Sequence, residues 1–518
     1  MDGLQVVTES LGGSALAQRG LSGEHPAWFV PRPGTVDAWR QRMEATARAG
    51  AWLDGLAPAF GAAGGGPSRL REVAAAGGVV VTTGQQPGLF GGPLYTLAKA
   101  LSALELADEL QSATGRPVAP VFWAATDDAD FVEASRVWAR AAHGATELVQ
   151  HQVPTDGVPM AEVPLEGTAD ALGLLLEACG SSADSSLVRL VRQAYRPGAT
   201  VGGAYLEFLR GVLEPLGIAV LDASHPAVRA ESRGKLEHAL RHAEAVNAAL
   251  RSREGEIRAA ALEPQVVAMP DLSLVFTRRS GRKARVPVQE ALSVVADPGA
   301  PLSPNVILRP ALERQLLPTV AYVAGPGEFA YFAQVTAVAE ALGWALPLAV
   351  PRWSGTILEP GVKRALARCR TAWRDLAVPH AAERAIAREA TPPGSLDAIA
   401  TMRATLSAAG STMQSALHAV SAPVDPRVVD GTLRQLNWRI DRLERRLLAG
   451  VKRREADLMQ DLARARGALF PGGMRQERAL SFVPLLAVHG DTLLAAMRVG
   501  ARRHAQALIA GHAPPADP

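Results

Sequence analysis

The sequence predicts an α/β protein, a parallel sheet built from βαβ units with inserted connecting segments and a C-terminal α-helical coiled coil. Three observations predict it. An apolar run at Val79–Val81 passes through a glycine-rich loop into a long helical pattern and then a second apolar run at Val118–Ala125. The same strand, turn, helix, strand order recurs between Thr319 and Val350. From about Pro360 the composition shifts to Ala, Arg, Leu and Glu, with leucines at alternating steps of three and four. Short β-rich runs alternating with helical periods are the pattern of a parallel sheet, and the three-four stripe is that of a coiled coil.

Composition narrows the class. At 518 residues the chain exceeds what one core fills, so about two to four domains are expected. The expected divisions are 1–138 for the first part of the sheet core, 139–210 for an inserted connecting segment, 211–375 for the rest of the core with helical and hairpin insertions, and 376–518 for the helical domain. Hydrophobic residues at 48% and charged residues at 20% exclude wholesale disorder. The 54 Lys and Arg against 51 Asp and Glu leave a net charge of only +3, and the cations are dispersed, so no nucleic-acid partner is expected. Cys179 and Cys369 cannot build a disulfide framework. The N-terminus lacks a basic region followed by an apolar core, and no apolar stretch reads as long enough to cross a bilayer. A cytoplasmic protein without membrane contact is expected.

Taken in order, a helix is expected from about Val36, and Trp28 and Phe29 are expected to pin the arm before it. The organising stretch follows, Gly77–Leu110. Val79, Val80 and Val81 read as a strand, and Gly84, Gln85, Gln86, Pro87, Gly88, Gly91 and Gly92 form a loop whose backbone can approach a ligand. Pro93 suits the first helical position, and Leu97, Leu101 and Leu104 set a buried helix face. A helix N-terminus behind a glycine loop suits an anion. It equally suits a tight turn with no ligand, since neither the dinucleotide nor the P-loop fingerprint is present.

Beyond the second strand come Asp127, Asp128, Asp130 and Glu133. Acids at the carboxyl end of a parallel strand lie where such folds place ligands, and these can hold Mg²⁺, orient an amine or accept a proton. They also read as an acid-rich helix start stabilised by the dipole. Gly217–Asp222 is a further strand, and His238 and His242 on the charged helical region after it read as a solvated pair without a third ligand. Leu272–Val288 reads as a hairpin whose Arg278, Arg279, Arg282, Lys283 and Arg285 either clamp an anion or simply face solvent. Glu328 follows the Gly325-Pro326-Gly327 turn at a helix N-terminus, where it can bind an ammonium or merely cap the helix. Leu433, Leu436, Ile440, Leu443 and Leu447 form the coiled-coil stripe, which can pair with Ser407–Val420 or with a second chain; Gly511–Pro518 is expected to fray.

With these segments in view, the chain resembles the bacillithiol-synthesis cysteine ligase family, BshC. The resemblance is carried by TGQQPGLFGGPLYT at Thr83–Thr96, VFWAATDDADF at Val121–Phe131, GIAVLD at Gly217–Asp222, SPNVILRP at Ser303–Pro310, LLPTVAYVAGPGEFAYFAQ at Leu316–Gln334, PR at Pro351–Arg352 and LFPGGMRQER at Leu469–Arg478. It implies a Rossmann-like parallel-sheet core related to class I nucleotidyl-transferase and synthetase folds, and a coiled coil that supports a homodimer. The implied reaction joins cysteine to the amine of glucosaminyl malate. Forming an amide from a free carboxylate is uphill in water, so an activated carboxyl is implied, an acyl-adenylate or acyl-phosphate, with ATP (or ADP) and Mg²⁺ as cofactors and no tightly bound metal.

Carried over by position, the resemblance implies that Lys99, Asp127, Asp128 and Asp130 are catalytic. Gly84, Gln85 and Gln86 would line the ligand loop, with Thr96 and Lys99 facing phosphate or carboxylate. The three aspartates would take the amine or a metal, Gly325, Gly327 and Glu328 would close the opposite side, and Arg309 and Arg352 would bind malate or phosphate. Three positions depart from the family pattern. Ala98, Ala129 and Ser135/Arg136 stand where it carries histidine. They leave open a related ligase with another amino acid or amine acceptor, and a non-catalytic nucleotide-binding protein that assembles through its coiled coil.

Overall fold

The computed structural model describes residues 3–517 apart from 26, 62–63, 143, 153–154 and 419–423. The described chain forms two compact units, one containing most of residues 4–358 together with 476–518, the other built mainly on 359–475.

The first unit holds a five-stranded sheet. Its strands are β1 (Val79–Gln85), β2 (Val118–Ala124), β3 (Ala219–Asp222), β4 (Thr319–Ala324) and β5 (Ala349–Pro351), in the order β5-β4-β1-β2-β3 and all parallel. β2 is buried along its whole length, as an apolar run covered on both faces must be. Val80, Val121 and Trp123 enter one cluster, and Phe122, Ala124 and Val220 another on the opposite face. In this order the chain moves outward from β1 in one direction, then returns and moves outward in the other. The crevice at that reversal, between β1 and β4, is where open α/β sheets receive ligands.

Four helices matter to the site: α1 (Leu94–Thr114), α2 (Leu308–Leu316), α3 (Pro326–Ala341) and α4 (Phe482–Ile509). α4 lies against α1, where Arg498 and Arg502 donate to the two oxygens of the fully buried Glu105 at 2.5 and 2.9 Å. A buried carboxylate demands such partners. This contact is why 476–518 groups with the sheet and not with the helical segment, which differs from the expected 376–518 domain. By length and composition α4 is apolar enough to span a membrane, contrary to the expectation that no stretch was; here Leu493, Met497, Ala501 and Leu508 are buried in the unit. The expected fraying of 511–518 also gives way: Thr8 N–H donates to Asp517 Oδ2 at 2.7 Å and Asp517 N–H to Thr8 O at 2.9 Å, while Pro518 lies outside the described residues.

The loop between β1 and α1 departs from expectation as well. Gly91 and Gly92 have φ of +87° and +80°, and a Cβ on Gly91 would lie 2.6 Å from the Phe208 ring and 2.8 Å from that of Phe482. Leu94 N–H donates to Leu480 O at 2.8 Å, and Gly91 N–H is shared between Gly88 O and Tyr195 Oη. The N-terminus of α1 is therefore closed by protein groups and is not the expected anion seat. Pro93 precedes the helix as its cap.

In the second unit, helices Ser395–His418 and Pro426–Arg454 run antiparallel. Arg403 binds Asp441 and Glu444, each at 2.6 Å, and Leu433 packs on Gly410. The hairpin alternative for the leucine stripe is thus realised within the chain, although Val420 lies outside the described residues. Leu436 and Leu443 stay 40% and 48% exposed.

Candidate active site

A cleft of 760 Å³ opens at the crevice between β1 and β4. The end of β1 gives it Gly84, Gln85 and Gln86, α1 gives Tyr95 and Lys99, the turn after β2 gives Asp127, Asp128 and Asp130, and the short helix after that turn gives Glu133. Arg309 comes from α2, Gly325, Gly327 and Glu328 from the turn into α3, and Arg352 from the end of β5. Of the residues expected at the site, only Thr96 does not line the cleft. It is buried, its hydroxyl has no hydrogen-bond partner, and it lies on the side of α1 facing Gly92.

The centre of the cleft is an ion-pair network. Lys99 Nζ donates to Gly84 O at 2.9 Å and Gln85 Oε1 at 2.8 Å, and lies 2.5 Å from Glu328 Oε2. Those contacts engage all three of its protons. Glu328 also accepts from Tyr322 Oη at 2.7 Å and Gly325 N at 2.8 Å, with Arg309 at 3.7 Å. The capping reading of Glu328 is realised at α3, and the ammonium beside it is the chain's own Lys99. Burial pushes its carboxyl up, but Lys99 and Arg309 outweigh that and hold it below its usual range. Burial lowers Lys99, with Glu328 opposing and Arg309 and Arg352 adding to the fall.

Arg352 is 2% exposed and grips Glu477 through two 2.8 Å bonds, while its Nε, buried, has no partner. Gly84 makes room for Arg309, whose Nη1 would lie 3.2 Å from a Cβ there. Arg478 lies at the exposed rim. These groups, with the Gly327 N–H in the unpaired first turn of α3, make a basic wall.

The opposite wall is acidic. Burial and the neighbouring Asp127 raise the Asp128 carboxyl, against hydrogen bonds from the Asp130 and Ala129 N–H groups. Burial, Asp130 and Asp128 raise Glu133, which lies 3.5 Å from Tyr95 Oη. Asp130 caps the short helix Phe131–Ala134, so part of the helix-start reading holds. Lys283 closes this wall, donating to Asp127 O at 2.7 Å with Asp127 Oδ2 at 3.5 Å. Among the described residues no three His, Cys, Asp or Glu converge as metal ligands. The basic hairpin divides: Lys283 and Arg285 line the cleft, whereas Arg279 pairs with Glu290. Tyr95, Tyr331 and the Glu477–Arg478 pair were not anticipated as site residues. Tyr95 could have been found, since it sits four residues before Lys99 on one helix face.

Comparison with known proteins decides the family. Residues 59–353 match the family model "Bacillithiol biosynthesis BshC, N-terminal Rossmann-like domain", and residues 355–502 match "Bacillithiol biosynthesis BshC, C-terminal coiled-coil domain". The chain belongs to the BshC family. It is 32% identical over 437 residues to a protein of Solibacter usitatus, covering 81% of this chain and 82% of that one. It is 32% identical over 454 residues to one of Koribacter versatilis, covering 82% of each. Both relatives carry the name "Putative cysteine ligase BshC". Against the BshC pattern, the three histidine departures fall in different places. Ala129 lines the cleft. Ala98 is packed in the core, Ser135 is buried with its hydroxyl on Val132 O, and Arg136 is exposed beside Glu147.

Proposed function

We propose that this chain is a cytoplasmic cysteine ligase of bacillithiol biosynthesis, joining the carboxyl of cysteine to the amine of glucosaminyl malate. The observation that carries this reading is the two-walled cleft at the sheet reversal, acidic on one side and basic on the other, inside a chain of the BshC family. An amide ligase must hold an amine and an activated carboxyl together and remove a proton from the nitrogen as the C–N bond forms. Asp128, raised by burial and Asp127, suits proton acceptance from the incoming ammonium, and Asp127 and Glu133 suit its orientation. Glu328 and Lys99 neutralise each other and fix the cleft floor.

A nucleotide fits the basic wall. Arg309 and Arg352, which line the cleft, and the first-turn N–H of Gly327 would hold its phosphates. ATP bound there supplies the activation that a free carboxylate lacks. Asp130 caps the short helix and Asp127 Oδ2 lies 3.5 Å from Lys283, so a resident metal is no part of this proposal. A homodimer through the half-exposed Leu436 and Leu443 completes the proposal.

The test is mass spectrometry of purified protein with cysteine, glucosaminyl malate, ATP and Mg²⁺, with no-nucleotide and Asp128→Asn controls. A nucleotide-dependent cysteine adduct that needs the wild-type chain supports the reading. No adduct, from protein that binds nucleotide, refutes it. Ala129, at the cleft in place of the family's histidine, favours one second reading: a ligase for another amino acid or amine. A panel of both substrates in the same assay separates the two.

A further inference from the structure

The chain as a whole is nearly neutral, but the helix Pro426–Arg454 is not. Its 29 residues carry eight arginines and one lysine against three acids, Asp430, Asp441 and Glu444. Nine cations against three acids leave +6, twice the +3 of all 518 residues. The dispersal of cations expected from the whole sequence fails here, because averaging over a long chain hides a local excess.

At 3.6 residues per turn the side chains sort by face. Leu433, Leu436, Ile440, Leu443 and Leu447 fall on one side. The three acids fall along one edge, at the seam with the helix Ser395–His418, where Arg403 binds Asp441 and Glu444 and Gln414 donates to Asp430. Opposite the leucines lies a stripe with no acid in it. Arg427, Arg434, Trp438, Arg445 and Lys452 make its first row, and Arg439, Arg442, Arg446 and Arg453 make a second row beside it, all at steps of three, four or seven. Apart from the half-buried Lys452 these cations are exposed, and among the described residues none of them makes an ion pair with an acid. Arg445 reaches a backbone oxygen, Asp441 O at 3.3 Å.

Trp438 decides what such a stripe is for. It is 53% exposed in the middle of the cations, with the Arg442 guanidinium 5.4 Å from its ring centroid. A face built for solubility alone mixes both signs of charge and needs no indole. An indole among guanidiniums offers a flat π-face to an unpaired base, while the arginines fork onto the phosphates on either side. A bilayer surface fits less well, because a helix lying on lipid turns its apolar side to the acyl chains. Here that side packs inward, with Leu433 on Gly410 and Ile440 buried, and the stripe offers lipid little beyond Trp438. From Arg427 to Arg453 the stripe runs about 39 Å at 1.5 Å per residue, a length suited to a strand of several nucleotides.

We propose that the basic face of this helix binds single-stranded nucleic acid, with its arginines on the phosphates and Trp438 stacked on a base. The stripe lies across the helix from Leu436 and Leu443, so a dimer through those leucines leaves it open. The cleft and its reaction are not involved.

The test is fluorescence anisotropy of the full chain with fluorescein-labelled oligo(U) and oligo(dT) of about 20 nucleotides, at several salt concentrations, beside co-sedimentation with vesicles of phosphatidylserine and phosphatidylcholine. Both oligonucleotides should bind, and if five phosphates are held, log Kd should rise with log salt at a slope of about 3.5. Arg427→Gln/Arg434→Gln/Arg445→Gln should weaken binding and lower that slope by about 2. Trp438→Ala should weaken it about ten- to a hundredfold, and Trp438→Phe, which keeps a π-face, should recover most of the loss. All four side chains are exposed, so circular dichroism should find each variant as helical as wild type. Tighter binding of oligo(U) names RNA as the natural source, and tighter binding of oligo(dT) names DNA. No binding of either oligonucleotide at low salt, or binding of the vesicles alone, overturns the proposal. So does binding that Trp438→Ala leaves unchanged, which reduces the stripe to a surface for any polyanion.

Discussion

Replacing Glu328 by Gln removes the one negative charge that Lys99 touches, while keeping the shape of the side chain. The Lys99 side chain is 4% exposed and that of Glu328 15%, so water cannot take over as counter-ion. The ammonium would be left between Arg309 and Arg352, both of which already lower it. Removing one partner of a buried pair costs about 3–5 kcal/mol, whereas replacing the whole pair by groups without charge is often close to neutral. The expected outcome is a loss of about 3 kcal/mol in urea unfolding for Glu328→Gln, with most of it recovered in Lys99→Met/Glu328→Gln. The pH dependence supplies a second reading. The folded Glu328 carboxyl is held below its ordinary 4.5, so its contribution is present above that value and is lost as pH falls through the folded pKa. Wild type should shed this stability in acid and the single variant should not. A single-variant loss below about 1 kcal/mol, the size expected of an exposed pair, would refute the reasoning, as would a double variant no more stable than the single one.

Further outcomes follow from other parts of the molecule. Asp128→Asn should lower kcat about 10²- to 10⁴-fold and remove the acidic limb of the pH–rate profile, measured with the mass-spectrometric assay. Burial pushes Glu313 from 4.5 up to about 7, so the folded chain binds that proton more tightly and loses stability as pH rises from 4.5 to about 7. Glu313→Gln should flatten this slope and be up to about 3 kcal/mol more stable above pH 7, read by urea unfolding across pH. Leu436→Asp with Leu443→Asp should convert a dimer to a monomer in sedimentation velocity, because both side chains are half-exposed on the helix pair.

The sheet was legible because its strands are short apolar runs, and burial on both faces leaves no polar alternation to confuse them. The glycine turn before Glu328 was legible for the same reason. The end of α1 was not. Whether a helix N-terminus is open to a ligand depends on what covers it, and Leu480 and Phe482 arrive from almost four hundred residues later in the chain. Thr96 was misplaced with it, since helical periodicity gives a buried face without saying which neighbour buries it. The hairpin cations show the converse. Their charge was plain, but only the fold separates Lys283 and Arg285, at the cleft, from Arg279 on the outside.

The bond between Arg352 and Glu477 has a consequence for biosynthesis on the ribosome. The cleft wall is laid down by residue 352, yet its arginine meets its counter-charge only after another 125 residues have been made. Until then the strands can pair, but a nearly buried guanidinium waits unneutralised at the mouth of the site, and the α1 face that will receive Arg498 and Arg502 holds the naked carboxylate of Glu105. The cleft wall thus depends on a segment made long after the sheet, and a chain cut before Glu477 would leave both Arg352 and Glu105 without these counter-charges.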